Sequence, residues 1–177
     1  MIRTLTQYSV LVALTVFFTV ASDFAQAQTE AETLLESGDW QAIQQMENGK
    51  PVCVMSAEPT KSAGKYTQRG TVLVIISHRV QEKRIGEVGF QAGYPFKPKS
   101  EATASIDGKP EVKLFTQGGH AWAYDADADK ALIAAMKAGS TLVVKGTSAR
   151  GTETTDTYSL SGFSATLNAI NKGCGVK

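Results

Sequence analysis

The chain has 177 residues, a net charge of +1 at pH 7, 20% charged residues and 42% hydrophobic residues. That length suits one domain with its own core. A charge balance this close to zero excludes the electrostatic footprint with which a protein grips a nucleic-acid backbone. The local basic spots, Lys61, Lys65 and Arg69 and then Lys97 and Lys99, read as solvated loop charge.

Residues 1–27 read as a cleaved secretory signal peptide. Met1-Ile2-Arg3 is a short basic start, residues 8–21 (YSVLVALTVFFTVA) carry no charge, and Ala25-Gln26-Ala27 is a small-residue exit. The apolar run falls short of the ~20 residues a spanning helix needs. No later stretch is long and apolar enough, so no transmembrane segment is expected after cleavage. Export would place Cys53 and Cys174, the only cysteines, in an oxidising compartment, where one disulfide between them is expected. It would close a loop running through most of the domain, a constraint worth roughly 4–5 kcal/mol on a chain-entropy account.

Residues 28–39 form a polar, alanine-rich tail, mobile or briefly helical, and residues 40–177 form a single domain. Residues 40–45 and 52–56 alternate as strands around Asn48-Gly49, a hairpin signal. Residues 58–70 are a loop rich in Lys, Ser, Gly and Thr. TVLVIIS at 71–77 is the best candidate for a central, doubly buried strand. After a charged break at 80–84, residues 85–92 form another strand. Residues 93–98 (GYPFKP) form a rigid loop in which an aromatic before proline favours a cis Tyr94-Pro95 bond. Strands at 103–106 and 111–115 flank Asp107-Gly108, and residues 121–124 form a short strand with Trp122.

Residues 125–138 break the pattern with helical spacing of Leu132, Ala135 and Met136, broadened by Ile133. Asp125 or Asp127 can cap this helix, Lys137 suits its last turn, and Gly139 suits its end. The strands at 141–147 and 154–160 then form a hairpin through Ser148-Ala149-Arg150-Gly151, with Arg150 and Asp156 expected as a surface pair. A second helix fits 162–171, with Leu167 and Ile170 on its apolar side. About eight or nine short strands with frequent turn signals predict a mainly β fold, an antiparallel β-sandwich with one inserted helix and a C-terminal helix.

Few residues suggest chemistry. Asp125-x-Asp127-x-Asp129 opens like a calcium loop, but Lys130 and Met136 stand where that motif needs Gly and Glu; helix capping explains the carboxylates. Gly146-Thr147-Ser148 has neither the spacing nor the strand–turn–helix setting of a nucleophile elbow. Gly86, Gly89 and Gly93 match no dinucleotide fingerprint, and there is no P-loop, so no cofactor is implied. His78 and His120, with two cysteines expected to be oxidised, make a poor metal set, and no metal site is expected. Tyr94, Phe96 and Trp122, with Lys97 and Lys99, are the candidate binding surface, although core filling and loop anchoring are the commoner uses of such aromatics.

The order and spacing of several segments resemble the invasion-associated locus B family. These are Ser77-His78-Arg79, Ala92-Gly93-Tyr94-Pro95-Phe96-Lys97-Pro98, Leu114-Phe115 and Ala121-Trp122. Asp129-Lys130-Ala131-Leu132, Ala135-Met136-Lys137, Lys145-Gly146-Thr147-Ser148 and Thr155-Asp156-Thr157-Tyr158-Ser159-Leu160 continue the pattern, which ends at Gly162-Phe163 and Cys174. The resemblance runs from about Trp40 to Cys174. It implies an immunoglobulin-like sandwich and a periplasmic, secreted or outer-envelope location in a Gram-negative bacterium, with no catalytic residues to carry over. The leading expectation is a non-enzymatic protein contacting an envelope or host macromolecule, with a role in host-cell invasion or virulence as the family's name suggests. A periplasmic small-ligand or glycan-binding module is the alternative, and a hydrolase using His120, Asp125 and a nearby serine is the weakest.

Overall fold

The structure, a computed structural model, describes residues 31–177. The signal-peptide expectation at 1–27 lies outside the described residues. Eleven strands are present among them: β1 (Glu32–Ser37), β2 (Trp40–Glu47), β3 (Lys50–Ala57), β4 (Lys61–Gly64), β5 (Leu73–Arg79), β6 (Arg84–Gln91), β7 (Glu101–Ile106), β8 (Val112–Gln117), β9 (His120–Trp122), β10 (Thr141–Thr147) and β11 (Glu153–Ser159). Two helices join them, α1 (Ala126–Ala138) and α2 (Phe163–Gly173). The ladder runs β1-β2-β3-β5-β6-β9-β8-β7-β10-β11-β4, and every pairing is antiparallel.

The hairpins follow the turn chemistry. Asn48 and Gly49 both take positive φ, 52° and 74°, which places Glu47 opposite Lys50; that twist matches the strands it joins. The 141–159 hairpin is paired without interruption from Thr141↔Ser159 to Thr147↔Glu153. Its inward side is Leu142 and Val144 on β10 and Thr154, Asp156 and Tyr158 on β11. Trp40 closes the two halves of the sheet over the core. Its indole N–H donates to the Ser159 carbonyl at 2.9 Å, and its ring meets Phe163 edge-on at 4.9 Å.

Two strands were not expected. Within the segment read as a tail or short helix, Glu32–Ser37 forms β1, an edge strand paired with β2. A register shift between Thr33 and Leu35 lets both Leu34 and Leu35 pack against the core, which hides the alternation that marks a strand. Within the loop at 58–70, Lys61–Gly64 pairs with β11 as β4. All four of its residues are exposed, so its sequence carries no apolar period.

The helices bury what their spacing suggested. Asp125 caps α1, its Oδ1 accepting from the amides of Asp127 and Ala128 at 3.0 and 2.8 Å. Leu132 and Met136 are buried, each stabilising by about 1.5–3 kcal/mol. Phe163, Thr166, Leu167 and Ile170 bury one side of α2, which packs on β1, β2 and β3. The Cys53–Cys174 disulfide ties the end of α2 to β3, with Cα atoms 5.9 Å apart. Beside it, buried His78 accepts the Gly86 amide N–H on Nδ1 at 2.9 Å. The ring proton is therefore on Nε2, which donates to Asn171 Oδ1 at 2.7 Å. One imidazole thus joins β5, β6 and α2.

A second polar tie lies at the other edge. Arg69 donates to both Asp156 carboxylate oxygens, at 2.7 and 2.6 Å, and through Nε to the Ala92 carbonyl at 2.6 Å. Ser62 on β4 donates to Asp156 at 2.8 Å. The Arg69 and Asp156 side chains are only 5% and 6% exposed. The expected Arg150–Asp156 surface pair is therefore corrected: Asp156 points inward with the buried side of β11, while Arg150 sits exposed in the turn.

Removing one partner of such a pair leaves a buried charge. Arg69→Ala should cost about 3–5 kcal/mol in denaturant unfolding, with part recovered by adding Asp156→Asn; a loss under about 1 kcal/mol would show the pair to be dispensable. For His78, burial holds the pKa below the ordinary histidine value, outweighing the opposing bonds to Asn171 and the Ser77 backbone. Its neutral form is the folded form, so its stabilisation is complete above about pH 6.5 and is lost as pH falls toward the depressed folded value. The melting temperature should drop between about pH 7 and pH 5, and His78→Gln should flatten that drop. Parallel profiles for the two proteins would assign the pH dependence elsewhere.

Candidate functional site

The sequence-nominated surface does not assemble as one exposed face. Phe96 is buried and pairs as an isolated bridge with Ser148. Tyr94 packs edge-on against Phe96 at 5.3 Å, shares a 2.6 Å hydrogen bond with the Thr154 hydroxyl, and lies under the Arg69 guanidinium at 4.9 Å. Burial raises its phenol pKa, against the lowering pull of Thr154 and Arg69. The loop backbone is stitched to both neighbouring turns: the amides of Ala92 and Phe96 donate to Gly119 and Gly118, and that of Ala149 donates to Pro95. No cis peptide bond occurs among the described residues, so the cis expectation at Tyr94-Pro95 is also corrected. Lys97 and Lys99 are exposed at the margin of this anchored loop.

Trp122 has different neighbours. On β9, Ala121 is fully buried, so His120 and Trp122 face outward. Trp122 sits opposite Gly89 on β6 and Phe115 on β8. A methyl group at Gly89 would overlap the six-membered ring of Trp122, so the missing side chain is what admits the indole. His120 stacks on Trp122 at 5.8 Å with planes 20° apart. Tyr124 is 55% exposed, yet its ring leans on Phe115 at 5.6 Å and its hydroxyl donates to Glu101 at 2.8 Å. That hydrogen bond raises the Tyr124 pKa and, after Lys113, lowers that of Glu101.

Phe115, Trp122, Tyr124 and Ile85, which is 40% exposed, line a groove of about 650 Å³ between the β6–β9–β8 surface and the start of α1. Its rim carries Lys83, Arg84 and Lys130 against Glu87, Asp125 and Asp129. Asp129 is positioned by accepting the Val88 amide at 2.8 Å. Burial raises its pKa, the Val88 bond pulls the other way, and Glu87 and Asp125 add to the rise. Sequence reasoning named Trp122 but missed Ile85, Phe115 and Tyr124. Phe115 had a signal in its place beside inward Leu114 on an alternating strand; Ile85 and Tyr124 lie at strand margins where alternation says little.

The groups considered for catalysis each have another job. The buried Ser148 hydroxyl accepts the Thr152 amide at 3.1 Å within its turn. His120 stacks on Trp122, and Asp125 caps α1. Asp127 pairs with Lys130 at 3.2 Å while Asp129 faces β6, so the three aspartates diverge. No group of three or more His, Cys, Asp or Glu suited to a metal occurs among the described residues, and none of their helices is long and apolar enough to cross a membrane.

Comparison with known proteins agrees with this architecture. The chain matches a solved structure, the crystal structure of invasion associated protein b from Bartonella henselae, with a TM-score of 0.54 and 21% sequence identity. The match covers 79% of this chain and 95% of that one. At that identity it shows the fold: a mainly β, immunoglobulin-like antiparallel sandwich. No curated protein matches. The sequence model of the family described as invasion associated locus B (IalB) protein matches residues 40–171, and the chain belongs to that family.

Proposed function

We propose that the chain acts after export, as a non-enzymatic protein of the periplasm, outer envelope or cell exterior, by surface contact with an envelope or host macromolecule. The observation that carries this reading is the outward apolar cluster of Ile85 on β6, Phe115 on β8 and Trp122 on β9, where a solvated sheet face would ordinarily carry polar side chains. Export is supported by the Cys53–Cys174 disulfide, a bond that persists in oxidising compartments. A role in host-cell invasion is what membership of the family suggests.

The test is photo-crosslinking of mature protein carrying a photoreactive residue in place of Lys83, at the groove rim. Incubated with envelope extract or with host-cell surfaces, it should form discrete adducts. Unlabelled protein should compete them away, and Trp122→Ala should abolish them. Adducts that are absent, or that survive both controls, would defeat the contact reading.

A further inference from the structure

We propose that the groove over Trp122 binds an uncharged, linear polysaccharide, with the C–H face of one sugar ring against the indole. This names the macromolecule in the contact reading above, and it rests on that reading.

The first support is the platform. Gly89 makes room for the Trp122 ring, Phe115 extends the apolar floor from the next strand, and the Glu101 bond fixes Tyr124 as a wall. The negative π-face of an aromatic ring attracts weakly positive groups, and the axial C–H bonds of a sugar present such a surface. Because each ring is already held by a neighbour, little side-chain entropy is lost on binding.

The rim is the second. Its three cations and three carboxylates balance, leaving no net charge to favour a sulfated, phosphorylated or polycationic chain. An apolar peptide seated on the platform would take the Arg84–Glu87 ion pair, 2.6 Å, out of water without offering it any hydrogen-bonding group, a costly arrangement. Sugar hydroxyls both donate and accept, so a glycan can cover the aromatics and still satisfy the rim. The groove's volume, about 650 Å³, lies within the ordinary range for ligand sites.

Intrinsic fluorescence isolates this site, because Trp40 is buried at 1% exposure and Trp122 is the only other tryptophan. Mature protein is titrated with maltotetraose, chitotetraose and laminaritetraose, and with a heparin fragment as the charged comparator, followed by fluorescence and calorimetry. A saturable response to at least one neutral sugar is expected, with Kd at or below the order of 1 mM. Calorimetric binding should vanish in Trp122→Ala and weaken on the order of tenfold in Gly89→Ala and in Tyr124→Ala. Tyr124→Ala alters an exposed side chain and guards against a folding defect.

A response to heparin alone would overturn the proposal, as would no response to any neutral sugar up to about 10 mM. A protein adduct at the rim that needs Trp122 would also overturn it, while leaving the contact reading intact. Loss of both sugar binding and adducts would remove both readings.

Discussion

Arg69 and Asp156 organise more of this sandwich than their two positions suggest. Removing both charges from water is expensive, and attraction alone rarely offsets that cost. Here the guanidinium spends three N–H groups on Asp156 and the Ala92 carbonyl, and Ser62 supplies the carboxylate with another donor. The result joins β4, the segment before β5, the end of β6 and β11. It also draws Tyr94 and Tyr66 toward the cation, with ring centroids 4.9 and 5.5 Å away. An aromatic that looked available for binding is thereby committed to covering a charge. Trp122 takes no part in this tie.

The sequence was most legible where the determinant is local. Asn48-Gly49 specifies its turn by backbone sterics, the 141–159 hairpin shows its alternation, and α1 shows both its cap and its stripe. It was least legible where no apolar period marks the strand. Lys61–Gly64 exposes all four of its residues, and the bulge in β1 erases the period of its two leucines. That the five nominated residues do not share one exposed face has a related reason. Tyr94 and Phe96 adjoin proline in a loop, a pattern that suits either exposure or anchoring. What decides between these is Arg69 and Thr154 against Tyr94, and Gly146, where a side chain would overlap the Phe96 ring, all distant in sequence. Trp122 and Phe115 meet only because β8 and β9 pair, which no single-strand pattern states.

Polar residues follow the same division between frame and surface. His78, Ser148, Asp125 and Asp129 each satisfy a backbone amide, and no buried side-chain polar atom lacks a partner among the described residues. By contrast, the exposed ion pairs Lys113–Glu101 and Lys145–Glu111 are of the kind that contributes little to stability.

The disulfide has a consequence for how the chain reaches this state. Its sulfurs are 121 positions apart, so Cys53 has no partner within the chain until synthesis has passed nearly the whole domain. With only two cysteines in the sequence, no incorrect pairing exists within one chain. Every oxidative error must join two molecules, so it depends on concentration, whereas the correct bond does not. Once formed, the bond has one approachable end, since Cys53 is buried completely and Cys174 only in part. An attacking thiol must therefore enter at the end of α2, and the helix that completes the sandwich also guards its only covalent crosslink.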